Sequence, residues 1–170
     1  MSWSKGLAAL SGLVFLAACG FTPLYGERAG QATIAELNAI SIDAASDRVG
    51  QEIRNQLIDR FGSDPASGSK RYRLSLEIEK QTQALAIQFD DTITRFNLFL
   101  TAQFDLVDLS TGAVIYRDTA RSIGSYNVVQ SEFATLISEQ DAAKRAAREV
   151  SEEIRMLLSV FFSRRHAETG

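Results

Sequence analysis

The chain has 170 residues, of which 45% are hydrophobic and 23% charged, so it has the length of one domain and a globular composition, and extensive disorder is excluded. Its formal net charge is −3, with both signs mixed along the chain, so the charge does not indicate a nucleic-acid-binding protein. One cysteine and one histidine cannot form an internal disulfide or a His/Cys metal cluster.

Residues 1–18 have the features of a cleaved export signal. One charged residue, Lys5, precedes an apolar stretch from Gly6 to Ala18. A positive start, an apolar stretch of about 7 to 15 residues and a small-residue cleavage site define such a signal, whereas a spanning helix needs about 20 apolar residues. We therefore expect residues 1–18 to be removed and not to remain as a membrane span.

The end of this signal, Leu16-Ala17-Ala18-Cys19, resembles the lipobox of bacterial lipoproteins. In that family the cysteine thiol receives a diacylglyceryl group, the signal is cut before it, and the new amino terminus is acylated. Each buried CH₂ of such chains contributes roughly 0.8 kcal/mol to membrane binding. Cys19 is therefore the predicted lipid attachment site; the alternative is a chance cysteine in an ordinary signal. Gly20 in the next position is, in that family, consistent with sorting to the outer membrane.

Residues 19–33 are predicted to form a lipidated tether, because Gly and Pro interrupt any periodic apolar pattern there. Residues 34–164 are predicted to form a single domain, and 165–170 a flexible tail. The domain is predicted to begin with a short strand that contains Ile34, Leu37, Ile40 and Ile42. A helix is predicted next, capped by Asp47 and ended by Gly62.

Three strands are predicted from alternating apolar and polar residues after a Ser/Gly/Pro loop at 63–70. Turns at Asp90-Asp91 and Ser110-Thr111-Gly112 join them into an antiparallel meander. The residues predicted to face inward are Tyr72, Leu74, Leu76 and Ile78 in the first strand, Phe96, Leu98, Leu100, Phe104 and Leu106 in the second, and Val114, Tyr116 and Ala120 in the third.

The apolar alternation of the first meander strand changes parity after Ile78. Since a strand side chain changes face with every residue, either an extra residue between Gln81 and Ala84 forms a bulge, or the later residues leave the core. In the second case an exposed apolar patch for lipid or protein contact is predicted. Its members are Leu85, Ile87, Phe89, Ile93 and Phe99.

A helix is predicted from Ser131 to about Arg164 by a repeat of 3.6 residues. The stripe that is expected to cover the sheet contains Phe133, Leu136, Ile137, Ala143, Ala147, Val150, Ile154, Leu157, Leu158 and Phe161. The predicted order is β-α-β-β-β-α. The predicted fold is therefore a two-layer α+β sandwich, with an antiparallel meander covered on one face by two helices.

Several arginines are predicted to lie together on the uncovered face of the sheet, namely Arg71, Arg73, Arg95, Arg117 and Arg121. Arginine holds phosphate or carboxylate in a bidentate fork, so this face is a candidate for an anionic ligand. The alternative is a solvated face with cross-strand arginine–carboxylate pairs.

Residues that would indicate an enzyme are not arranged in a recognisable motif. His166 lies near the carboxyl terminus, and the adjacent Asp90 and Asp91 alternate in direction and suit a turn better than a facing catalytic pair. The sequence has no phosphate loop, nucleophile elbow or two-histidine metal motif. We therefore expect a non-enzymatic protein without a metal or cofactor.

Three features together resemble the LptE family of LPS-assembly lipoproteins in its alphaproteobacterial form. They are "LAACGFTPLYG" at 16–26, "DRVGQEIRNQL" at 47–57, and the order of strand, helix, meander and long helix. The resemblance implies a non-enzymatic protein anchored in the outer membrane that plugs the lumen of the β-barrel LptD, helps it assemble, and binds lipopolysaccharide in transit.

The resemblance also implies that basic residues near the sheet tip bind lipopolysaccharide, and Arg95 is the closest match. The other four arginines are candidates from the strand pattern alone. Two other functions stay open at this stage. One is a free periplasmic lipoprotein that carries an amphiphile in an internal cavity. The other is an enzyme with scattered catalytic residues.

Overall fold

The computed structural model describes residues 27–62, 70–87 and 93–169. Cys19, Phe89 and the Asp90-Asp91 turn lie outside these ranges. Three helices and four strands are present in the described part: α1 (Glu27–Asn38), β1 (Ile40–Ile42), α2 (Arg48–Phe61), β2 (Tyr72–Ile87), β3 (Ile93–Asp108), β4 (Val114–Asn127) and α3 (Glu132–Thr169).

The strands form one sheet in the order β1-β2-β3-β4. β1 is parallel to β2, and β2, β3 and β4 form the predicted antiparallel meander. The two-layer α+β prediction is confirmed, with one additional helix. α3 also continues to Thr169, through the segment that was predicted to be a tail.

The prediction of a strand from Ile34 was wrong in its first half. Ile34 and Leu37 belong to α1, and only Ile40–Ile42 are extended. Within this helix Leu37 is buried, while Ile34 is 51% exposed. A spacing of three residues between apolar positions suits one face of a helix as well as a short irregular strand, and here helical packing prevails.

The predicted caps of α2 are present. The Asp47 carboxylate accepts a hydrogen bond from the backbone N–H of Gly50 at 2.6 Å, which satisfies one of the free amides at the helix start. Gly62 ends the helix with φ of +61°, a left-handed conformation that favours glycine. Between the caps, Ile53 and Leu57 are fully buried, so α2 presents one apolar face to the core.

The inner face of the sheet consists of the even-numbered residues of the three long strands. Leu74 pairs with Leu106, and Leu98 pairs with Gly124, so one register places all three inward patterns on the same side. The buried cluster that results includes Leu74, Leu98, Leu100, Phe104, Leu106 and Ala120 from the sheet, and Val150, Ile154, Leu158 and Phe162 from α3. Every described helix that packs on the sheet uses this face.

Four residues that were predicted to face the core are exposed, although their periodicity is that of an inward face. Val114 is 49% exposed, since a register shift between Leu106 and Val107 places it opposite Val107. Phe133 is 72% exposed, and the neighbouring Leu136 and Ile137 are 49% and 41% exposed. A 3.6-residue repeat identifies the apolar face of a helix but not whether another element covers it.

Candidate functional site

The outer face of the sheet is the candidate site, because no described helix covers it. Its side chains are the odd-numbered residues of the long strands, which the register arranges in cross-strand rows. From the β3–β4 turn towards the β2–β3 turn, the rows are Ser75–Asp105–Arg117, Glu77–Gln103–Thr119, Glu79–Thr101–Arg121, Gln81–Phe99–Ile123 and Gln83–Asn97–Ser125. Four of these rows are polar or charged, and the row of Gln81, Phe99 and Ile123 is partly apolar.

Arg117 is already paired within this face. Its Nε and an Nη both donate hydrogen bonds of 2.6 Å to the two carboxylate oxygens of Asp105, directly across the strands. The hydrogen bond from Arg117 lowers the pKa of Asp105. The alternative interpretation of a cross-strand ion pair therefore describes Arg117 better than a free anion site does.

Arg71 lies away from the outer face. It immediately precedes β2, and its guanidinium donates a hydrogen bond of 2.5 Å to Glu36 of α1. The same guanidinium lies 5.5 Å from the centre of the Tyr72 ring. Arg71 thus connects α1 to the sheet, and the prediction that it lies with the other arginines on the outer face was wrong.

Arg73, Arg95 and Arg121 are exposed, and all three occupy outward-facing positions of their strands. The described residues contain no carboxylate within ion-pair distance of these three guanidinium groups. Arg121 lies two residues before Ile123 on the same strand face, and Arg95 lies four residues before Phe99. Because same-face neighbours in a strand are about 6 to 7 Å apart, Arg121 adjoins an apolar row, while Arg95 lies roughly twice as far from that row on its other side, beyond the row of Asn97.

That apolar row joins Phe99 of β3 to Ile123 of β4, which are direct cross-strand partners. Ile123 is 58% exposed and Phe99 is half-buried. Sequence reasoning included Phe99 but missed Ile123. The signal was an isoleucine among outward-facing polar residues of β4, and it could be interpreted only once the register opposite Phe99 was known.

The parity change in β2 is resolved near the tip. Pairing is regular through Ala84–Phe96, so no extra residue lies between Gln81 and Ala84. The ladder is irregular one step farther on, between Ala84 and Ala86, and Leu85 within it is 58% exposed. Ile87 and Ile93 are paired, but the described side chains do not include theirs.

Open grooves lie on the surface of the described part. One of about 430 Å³ follows the polar rows of the outer face around Gln103, Asp105 and Arg117. Two others, of about 260 and 320 Å³, lie between α2, β2 and the start of α3. The space between the sheet and the helices is filled by buried side chains, as close packing of a protein interior requires.

Within the ranges 27–62, 70–87 and 93–169, no cluster of three or more His, Cys, Asp or Glu side chains is arranged to hold a metal ion. His166 lies 3.6 Å from Glu36, as part of the contact between α3 and α1. None of the described helices combines the length and apolarity needed to cross a bilayer.

Comparison with known proteins places the chain in a family. The model of the LptE family, described as lipopolysaccharide-assembly, matches residues 37–158. An uncharacterised protein of Rickettsia prowazekii (strain Madrid E) is 21% identical over 150 residues, which cover 88% of this chain and 92% of that protein.

Solved structures with a similar fold are described as those of lipoproteins. One from Caulobacter crescentus CB15 has a TM-score of 0.67 and 26% identity, and the match covers 78% of this chain and 96% of that one. A minor lipoprotein from Acinetobacter baumannii has a TM-score of 0.53 and 18% identity, with 71% and 88% covered. Lipoprotein B from Nitrosomonas europaea has a TM-score of 0.54 and 14% identity, with 73% and 82% covered.

The last two structures, at below 25% identity, show a shared fold only. The family match is stronger evidence, because it begins in α1, includes the whole sheet and extends into α3. It covers well over half of the chain. The chain therefore belongs to the LptE family of lipopolysaccharide-assembly proteins.

Proposed function

We propose that this protein is a lipoprotein of the outer membrane that occupies the lumen of the LptD β-barrel, assists its assembly and binds lipopolysaccharide during transport. Family membership supports a role in lipopolysaccharide assembly. The observation that carries the finer proposal is the outer face of the sheet, which is uncovered by described helices and changes from polar rows to an arginine-flanked apolar row.

The polar rows suit the wall of a barrel lumen, since the interior of an outer-membrane barrel is polar. Thr101, Gln103 and Thr119 face outward and are at least partly exposed. Asn97 and Ser125 also face outward, and they hydrogen-bond to each other across the strands at 2.7 Å. These side chains offer donors and acceptors to a partner without requiring an apolar partner surface.

The arginine-flanked row suits an anionic amphiphile. Phe99 and Ile123 supply apolar surface, while Arg95 and Arg121 supply guanidinium groups that bind phosphate in a bidentate manner. Lipopolysaccharide combines both chemistries in its phosphorylated, acylated part. Arg117 is less suited to binding phosphate, because its Nε and an Nη already donate hydrogen bonds to Asp105.

The membrane anchor in this proposal is Cys19, carrying diacylglyceryl and N-acyl groups. It begins the segment 19–33 that was predicted to be a tether, of which residues 27–33 belong to α1. Two or three acyl chains on one residue suffice for stable anchoring. The description of the Caulobacter crescentus structure as a lipoprotein agrees with this assignment.

The proposal is tested by native purification of the tagged full-length protein and by lipopolysaccharide binding to the purified protein. We expect LptD to copurify. We expect the double variant Arg95→Gln/Arg121→Gln to lose roughly a hundredfold or more in lipopolysaccharide affinity, since each of the two charge-assisted contacts contributes about 1.5 to 3 kcal/mol.

The matched control is Arg117→Gln, which removes an arginine of the same face that is bound to Asp105. Its affinity should stay close to that of the wild type. Equal losses in the control and the double variant would show that general positive charge, and not the apolar row, attracts the ligand. Repeated absence of LptD from the purified sample would overturn the proposal that this protein occupies the LptD lumen.

The other candidate, a free periplasmic carrier of an amphiphile, requires an internal cavity. The core between sheet and helices is filled by fully buried residues such as Leu74, Phe104 and Leu158. The grooves of the described part open onto the surface, with volumes of about 260 to 430 Å³. This packing favours the barrel partner over the carrier.

A further inference from the structure

The two edges of the sheet differ in how their backbone groups are satisfied. On the β4 edge, side chains of α3 reach the strand: Glu153 accepts a hydrogen bond from the backbone N–H of Arg121 at 2.9 Å, and Arg145 donates one to the carbonyl of Ser125 at 3.3 Å. This edge is therefore partly occupied by the protein's own helix.

The opposite edge is largely open. β1 pairs only with Tyr72–Leu74 of β2, and the last backbone contact there runs from the N–H of Asp43 to the carbonyl of Leu74 at 3.0 Å. From Ser75 to Ile87, β2 has a backbone partner on its β3 side but none on its other side among the described residues. An open strand edge of this length is a template for pairing with another chain.

The exposed backbone groups of this edge belong to the even-numbered residues. The N–H of Tyr72 and the carbonyl of Leu74 point towards the β1 side, and the direction alternates along a strand. The same residues direct their side chains to the inner face. The N–H and C=O groups available for pairing are therefore those of Leu76, Ile78, Lys80, Thr82 and Ala84.

An apolar groove lies beside this open edge on the inner side. Two adjoining depressions of about 260 and 320 Å³ share the lining residues Arg48, Val49 and Lys80. Leu136 and Ala143 of α3 form one wall and Ile78 of β2 another. Gly50 lets α2 approach β2 closely beside this groove; a Cβ there would lie 3.0 Å from Cδ1 of Ile78.

We propose that the β2 edge binds an extended segment of a partner protein as an additional antiparallel strand. In strand addition the main chain gives affinity, and pockets for alternate side chains give specificity. Every second side chain of the segment would enter the apolar groove at Val49 and Leu136. This site is separate from the lipopolysaccharide site, and its test does not depend on that proposal.

The charge of the β2 edge indicates which residues of the partner segment would face away from the groove. Glu77 and Glu79 extend from the outward side of the same edge and are exposed; Glu79 accepts a hydrogen bond from Gln81, and neither glutamate has an ion pair in the described part. Opposite charges on neighbouring strands attract each other. The proposed segment therefore alternates apolar residues, which face the groove, with lysine or arginine, which face these carboxylates.

The test uses the full-length protein and a short peptide in which valine and lysine alternate. A second peptide carries methyl groups on the valine nitrogens and cannot donate hydrogen bonds to the β2 edge. We expect the first peptide to bind, to slow hydrogen exchange of the Ile78, Lys80 and Thr82 amides, and to bind roughly tenfold more tightly than the methylated one.

Two variants locate the binding. Thr82→Pro removes an N–H that faces the open edge and not the β3 ladder, so the fold should persist, and it should lower peptide affinity roughly tenfold. Thr82→Val is the matched control, because it keeps the N–H. Leu136→Ser removes an apolar wall from a half-exposed position and should also weaken binding, which provides a test even if the proline variant is unstable.

Three outcomes would overturn the proposal. The first is equal binding of both peptides, or unchanged binding in Thr82→Pro and Leu136→Ser. The second is strong exchange protection of the Ile78, Lys80 and Thr82 amides without peptide in the monomer, which would mean that another segment of this chain covers the edge. The third is a dimer that Thr82→Pro dissociates, which would make a second copy the occupant.

Discussion

Ala142 of α3 lies so close to Gly124 of β4 that a Cβ on the glycine would be 2.7 Å from the alanine carbonyl oxygen. The obstacle is backbone, which cannot rotate away as a flexible side chain can. This contact sets the distance at which the long helix crosses the sheet. It also explains why α3 has alanine at 142, 143, 146 and 147 where it packs on β4.

The first prediction follows from that contact. Gly124→Ala should destabilise the protein by about 1 to 3 kcal/mol, since a group added to a tightly packed region forces the backbone to shift. Chemical denaturation of the purified protein measures this. Thr119→Ala, on the outer face of the same strand, is the control and should change stability by less than about 0.5 kcal/mol. Similar losses in both variants would contradict the assigned contact.

A second prediction concerns the exposed start of α3. Phe133→Ser should change stability by less than about 0.5 kcal/mol, because the ring is 72% exposed. Phe104→Ala, at a site that is 1% exposed, should cost about 3 to 5 kcal/mol. Thermal and denaturant unfolding of the two variants compares them. A large loss in Phe133→Ser would mean that the first turns of α3 belong to the core.

A third prediction concerns pH. The hydrogen bond from Arg155 lowers the pKa of Glu152 below its ordinary value of 4.5, and the charges of Arg155 and Arg60 add to the effect. A carboxylate with a lowered pKa in the folded state stabilises the protein above its unfolded-state pKa, and this contribution is lost as pH falls through the folded-state value. Glu152→Gln should therefore be less stable than the wild type at neutral pH.

The difference between wild type and Glu152→Gln should disappear as the pH falls well below 4.5, and unfolding curves at several pH values measure it. The expected size at neutral pH is at most about 1 kcal/mol, because Glu152 is partly exposed and water screens the pair. Glu168→Gln, near the exposed end of α3, is the control. A constant difference between wild type and Glu152→Gln at all pH values would contradict the linkage.

A fourth prediction tests the anchor. Cys19→Ser should leave the protein without lipid, slow its processing and move it out of the membrane fraction. The intact mass of the mature protein and cell fractionation measure these effects. A mass and a distribution equal to those of the wild type would exclude lipidation at Cys19. Because the residue precedes the folded domain, stability of the domain should be unaffected.

Elements with strong local signals were predictable from the sequence. Asp47 and Gly62 mark the ends of α2 through their own backbone preferences. The alternation from Tyr72 to Ile78 marks β2, because one of its faces packs against a core. Such signals depend on a residue and its near neighbours, so a single chain is sufficient to identify them.

Features that depend on distant partners were not predictable. α1 was missed because its apolar spacing is short and its packing against α3 is a tertiary contact. The pairing of Arg71 with Glu36 and of Arg117 with Asp105 could not be predicted, because it depends on which side chains lie close together in the folded protein. The same is true of Ile123, which forms an apolar row only because the register sets it opposite Phe99.

The one-sided arrangement of the helices has a consequence for how this protein can change. Side chains such as Thr101, Gln103 and Thr119 project away from the core, so substitutions there remove little of the burial that holds the fold together. Inward-facing neighbours such as Leu100 and Phe104 are fixed by packing. The proposed recognition surface and the stabilising surface alternate residue by residue along the same strands. A partner and this face can therefore diverge together while the underlying fold stays constant.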